Sequence, residues 1–130
     1  MMWDKPESVH SIVKLIDSCT QCRQIFHAAS STESEPARKE LTDKIRQKLD
    51  QFGIELRNEV RRMGIIEDFN SFRFEPISGE SHTMALHQIL NDYDQAVKTL
   101  FPTHAKAMIT RQHLDLHQAY EQLIALQQAA

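Results

Sequence analysis

Three polar side chains near the end of the chain are spaced to meet. His113, His117 and Glu121 recur every fourth residue, which on an α-helix brings them to one face, within reach of a single ion. Two imidazoles and a carboxylate suit a transition metal, and His82 or His87 from an earlier helix could add a nitrogen. The competing reading is that polar residues border the apolar stripe of any surface helix, and a His pair with no partner to fix its tautomers is not yet a site. A second spacing, Cys19-Thr20-Gln21-Cys22, has the C-x-x-C form of thiol redox proteins and zinc sites. Zinc wants a second pair, and the chain has two cysteines in all. Thioredoxin-like chemistry wants the motif at the head of a helix that follows a strand, where the dipole lowers the thiol pKa, and here it falls in mid-helix. One thiol is therefore expected in the core and one at its flank, with no disulfide. A di-iron carboxylate centre needs inward Glu-x-x-His pairs. The sequence has a single such spacing, Glu7 to His10 in the first turn of the first helix, where two are required; Glu80 is followed three residues on by Thr83 and Glu121 by Ile124. No glycine-rich phosphate loop or dinucleotide fingerprint is present.

The elements that must position these residues are all helical in pattern. From Ser34 to Met63 the apolar residues Leu41, Ile45, Leu49, Phe52, Leu56, Val60 and Met63 recur at intervals of three or four, with charged and amide residues between them. That spacing makes one stripe on a helix and cannot be laid on a strand. Ser34, followed by Glu35-Pro36, is expected to cap this helix, and Gly64 to close it. Gly53 costs about 1 kcal/mol relative to Ala in a helix interior, and close packing of a large neighbour is the expected reason. An earlier helix starts near Pro6 and carries Val9, Ile12, Val13, Ile16, Cys19 and Phe26 on its stripe. Arg23 falls on the same stripe, where it either reaches water or an acid on a neighbouring helix, or holds an anion inside the bundle. Leu86, Ile89, Leu90, Tyr93, Val97 and Leu100 define a third helix, and Ala105, Met108, Ile109, Gln112, Leu116, Tyr120, Leu123, Ile124 and Gln127 a fourth. The expectation is a single all-α domain over 1–130, with helices at about 6–30, 35–63, 81–100 and 103–128. Between the second and third helices the period is lost, and residues 65–81 read as a crossover long enough to travel the length of the bundle.

Two helices, a long link and two further helices is the connectivity of an antiparallel, ferritin-like four-helix bundle. Lys14-Leu15-Ile16-Asp17 and Phe26-His27-Ala28-Ala29 in the first helix, with Thr110-Arg111-Gln112 and Ala119-Tyr120-Glu121-Gln122-Leu123 in the last, resemble a bacterial ferritin-like four-helix-bundle family of unknown function, often linked to stress proteins. The likeness covers the two ends of the chain. Acidic positions usual to that family in the second half of helix one are here Cys22 and Arg23, and its helix-four histidine is here Tyr120. The family's Gly-Ser segment and His-Arg-x-Trp run have no counterpart in 65–81.

Composition narrows the classes further. A net charge of −3 with Lys and Arg interleaved among Asp and Glu argues against a nucleic-acid partner. No run approaches the roughly 20 apolar residues of a membrane span, and the first residues lack an apolar leader core, so a cytoplasmic setting is expected. Phe69, Phe72 and Phe74, beside Ile65-Ile66, form an aromatic-rich link that the bundle alone cannot cover, and a homodimer through residues 65–77 is expected. The leading functional expectation is a non-enzymatic, stress-associated or protein-interaction module with no cofactor. Its rival is a metal-binding or redox bundle that uses His113, His117 and Glu121, and a third class is an enzyme acting between the helices.

Overall fold

The computed structural model describes residues 6–64, 81–99 and 103–128, with the side chains of the first helix described from Val9 onward. Four helices make up the described part: α1 (Pro6–Thr32), α2 (Pro36–Arg62), α3 (His82–Ala96) and α4 (Thr103–Gln128). No strand occurs among the described residues. The helical bundle expected from the periodicity is present.

Each helix touches two others. α1 lies against α2 and α3, α4 lies against α3 and α2, and the pairs α1/α4 and α2/α3 face each other across the core. Contacts run in opposite chain senses along every seam. Between α1 and α2, Ser30 donates to Asp43 and Arg23 pairs with Asp50. Between α1 and α3, Ser11 meets Thr99, Ser18 donates to Asp92, and Phe26 meets His82 edge-on. Between α3 and α4, Tyr93 meets Gln112 and Thr83 meets Gln127. Between α2 and α4, Glu55 meets Gln112 and Glu59 meets His104.

The core is one continuous cluster with Ile12, Ile16 and Phe26 from α1, Ile45, Leu49 and Leu56 from α2, Leu86, Ile89 and Tyr93 from α3, and Ile109, Leu116 and Leu123 from α4. All of these were on the sequence stripes, because a three-or-four spacing keeps the same arc inward whatever the neighbours are. α1 departs from the single-stripe expectation. Leu15 and Cys22 are as buried as Ile16 and Cys19, so both thiols are in the interior rather than one at the flank. The cause is how closely it is embedded: α1 makes the most extensive contacts of the four helices, above all with α2, and so buries a wider arc than one stripe covers. Neither cysteine takes part in a disulfide.

Helix ends show two further differences. α2 is preceded by Glu35 at the N-cap, not Ser34, with Pro36 at the first position and no side-chain cap. The Glu33 carboxylate instead accepts from the Glu35 backbone N–H at 3.1 Å. α3 ends at Ala96, four residues short of the expected Leu100. There Lys98 and Thr99 bond back three residues, to Gln95 and Ala96, and the tighter turn stops α-helical winding. At its start, Ser81 caps α3 by accepting from Met84 N–H at 3.2 Å. Gly64 adopts φ +81 after α2, the left-handed residue that closes a helix and that glycine reaches without strain.

Gly53 is not where a large neighbour packs. A Cβ built there would meet only the end of the Arg57 side chain, at 3.9 Å. The proposed crossover at 65–80 and the dimer interface at 65–77 lie outside the described residues.

Candidate functional site

At mid-bundle a chain of hydrogen bonds crosses all four helices. Tyr93, from α3, is wholly buried and donates its hydroxyl to Gln112 Oε1 of α4 at 2.6 Å. A tyrosine hydroxyl has one proton, so at the 3.6 Å contact with Cys19 Sγ of α1 the thiol is the donor. Gln112, also wholly buried, passes the sequence on through Nε2 to Glu55 Oε1 of α2 at 2.9 Å. Arg111 reaches the same oxygen at 2.9 Å from the surface side. Thiol, phenol, amide and carboxylate thus form a directed relay from α1 through α3 and α4 to α2.

The electrostatics keep the inner members neutral. Burial pushes the Cys19 thiol up to about 12, against smaller opposing effects from the Tyr93 hydrogen bond and the Arg57 charge. Burial likewise raises Tyr93 well above the ordinary phenol value, and the adjoining Cys19 adds to this. Burial alone would raise Glu55, but hydrogen bonds from Gln112, Gln51 and Arg111, with the Arg111 charge, outweigh it and hold the carboxyl below the ordinary range. The charge therefore sits only at the outer end, where water and Arg111 share it.

Below that end, a groove of about 480 Å³ opens between α2 and α4, lined by Glu55, Glu59, Arg62, His104, Met108 and Arg111 among others. Glu59 is the sole buried charged residue among the described ones. Its Oε2 lies 3.0 Å from His104 Nδ1, and Arg62 Nη1 lies 3.0 Å from the other ring nitrogen. With Arg62 a donor, His104 is set as the Nδ1–H tautomer, donating to Glu59 and accepting from Arg62. The groove's charges are consumed in these internal pairs.

The histidines nominated from sequence are drawn apart by different partners. His113 stacks flat on Tyr93, with ring centroids 6.2 Å apart. His117 Nδ1 pairs with Glu121 at 3.2 Å on an exposed face. His82 abuts Phe26, and His87 lies 5.8 Å from the Tyr120 ring. Among the described residues, no group of three or more His, Cys, Asp or Glu is arranged to hold a metal ion. Arg23 meets an acid on the neighbouring helix, Asp50, at 3.1 Å.

Sequence reasoning missed Glu55, Glu59 and His104. Glu55 and Glu59 are four apart on α2 and each adjoins a core position, Leu56 or Val60, which is the one local signal that they border the interior. No family model, curated protein or solved structure matches the chain.

Proposed function

We propose that this chain is a non-catalytic bundle of antiparallel, ferritin-like arrangement, with a long crossover between α2 and α3, that acts as a self-associating protein-interaction module. The arrangement is supported by the opposed chain sense of the contacts along all four seams, and by α2 and α3 lying diagonally across the core. A link between diagonal helices of like direction has to return along the bundle.

The observation that carries the non-catalytic reading is the mid-bundle relay. A metalloenzyme of this architecture keeps ionised carboxylates and imidazoles aimed at that level of the core. Here a thiol, a phenol and an amide are joined donor to acceptor, with both ionisable members held neutral by burial. A protonated thiol or phenol is neither a good metal ligand nor a general base at neutral pH. Function then falls to the surface, and the aromatic-rich sequence from Ile65 to Ile77 supports self-association there.

Two measurements test the proposal. Multi-angle light scattering at micromolar concentration is expected to return twice the chain mass, and a monomer overturns self-association. Elemental analysis of protein purified without a metal-affinity tag is expected to find no stoichiometric iron, manganese or zinc, and a molar equivalent of any of them overturns the non-catalytic reading.

A further inference from the structure

On the seam next to the α2/α4 groove, between α1 and α2, a cleft of about 400 Å³ lies over Gly53. Its floor is Cys19, Leu49 and Gly53, and its walls carry Arg23, Ile54 and Arg57, with the Asp50 carboxylate also on the lining. We propose that this cleft binds a small amphiphilic organic anion, its carboxylate or phosphate head on Arg57 and Arg23 and its short apolar body against Leu49, Gly53 and Ile54.

Three observations converge on this. Gly53 stands in the interior of a 27-residue helix, where glycine is unfavourable and where no neighbour approaches closely enough to need it. Its missing side chain is what opens the cleft, and glycine is the residue that lets a ligand come up to the backbone. The second observation is charge. Arg23 Nε takes one oxygen of Asp50 at 3.1 Å and Arg46 Nη1 takes the other at 3.1 Å. Asp50 is thereby committed, and no carboxylate among the described residues pairs with Arg57. Two guanidiniums share one carboxylate at this spot and that of Arg57 stands beside them without one among the described residues, on a chain whose net charge is −3. Arg57 lies over the glycine, its Nη1 being the atom nearest a Cβ at 53. A guanidinium fork offers paired N–H donors that fit the two oxygens of a carboxylate or phosphate. Thirdly, Ile54 is a large apolar side chain left 56% exposed beside the cleft, and Leu49 lies at its base, so the site has an apolar half as well as a cationic one. The volume falls within the range of small-molecule sites, larger than a bare ion needs. The Thr20 hydroxyl, also on the wall, is spent on the Ile16 carbonyl at 2.9 Å, so the anion is met by the guanidiniums. The α2/α4 groove is of similar size but lacks this surplus, because Arg62, Arg111 and His104 are paired with Glu59 and Glu55.

The test uses the full chain, labelled with ¹⁵N and titrated with hexanoate, hexyl phosphate, inorganic phosphate and hexyltrimethylammonium. The two alkyl anions are expected to shift the amides around Cys19, Gly53 and Ile54 saturably, and the tighter of them identifies the head group. Inorganic phosphate is expected to bind more weakly than hexyl phosphate, and the cation not to bind at that position. Arg57→Gln should weaken the alkyl anion by about tenfold or more, the effect of losing a charge-assisted hydrogen bond. Gly53→Leu, which fills the cleft, should abolish binding without lowering the melting temperature. The proposal is overturned if neither alkyl anion saturates, if the cation competes equally, if the shifts map to another seam, or if Arg57→Gln binds like the wild type.

Discussion

Glu55 and His82 tie the stability of this bundle to pH in the same direction, while Asp17, raised by burial, acts in the opposite one. His82 is partly buried edge-on to Phe26, and burial lowers its pKa against a smaller raising effect from Glu33. In the unfolded chain the ring titrates near 6.5, so its contribution is fully present above about that pH and is lost as pH falls through the lower folded value. His82→Phe keeps the aromatic contact and removes the titration. Thermal melts are expected to show the wild type losing stability more steeply than this variant as pH falls below about 6.5. Glu55 is held below the ordinary carboxylate range, so its contribution is present above about pH 4.3 and disappears in stronger acid. Within the relay, Gln112→Leu strands the Tyr93 hydroxyl in the core, and chemical denaturation should register a loss of about 1–3 kcal/mol. Cys19, Tyr93 and Gln112 were each legible in the sequence as members of a stripe. That they bond to one another was not, because Cys19 and Tyr93 are 74 residues apart and no local spacing records a contact across helices. Glu55 looked like one more charge on the wet face of α2.

At the level of the helix, α2 holds the sharpest contrasts. Phe52 is buried and Lys48 is exposed. Phe52→Ala is expected to cost about 3–5 kcal/mol and Lys48→Ala to stay within about 0.5 kcal/mol, and equal losses in urea would mean the inward phase of α2 is wrong. Gly53→Ala should go the other way. Its Cβ would stand in ordinary contact with Arg57, so the gain in helix propensity, about 0.5–1 kcal/mol, should appear as a higher urea midpoint. The inward arc of α2 was readable because a three-or-four repeat leaves one choice of face. The wider buried arc of α1 was not, since how closely a helix is embedded against its neighbours is decided by the other three helices. Capping was harder still: Ser34 has the right chemistry for an N-cap, yet Glu35 takes the place, and one residue of frame decides which side chain stands at the helix mouth.

For the whole molecule, the four-helix class followed from the absence of any alternating pattern and from four separate stripes, whereas the order of helices around the core had no local signature. That order has a mechanical consequence. α4 is the least extensively packed of the four helices, and at its start the seam with α2 is widened by the groove of about 480 Å³. Besides the buried Ala105 and Ile109, what latches the groove side of that end is polar: Glu59 to His104, with Glu55 to Arg111 further along. Two of these four partners, His104 and Arg111, are more than half exposed, so solvent reaches and screens one side of each pair. The opening turns of α4 are therefore the door of the bundle, and the far end, where Leu116 and Leu123 are wholly buried, is its hinge post. Breathing begins where latches outnumber bolts. Native-state hydrogen exchange should find the amides from about His104 to Arg111 opening well before those around Leu116, and well before the rest of the bundle gives way.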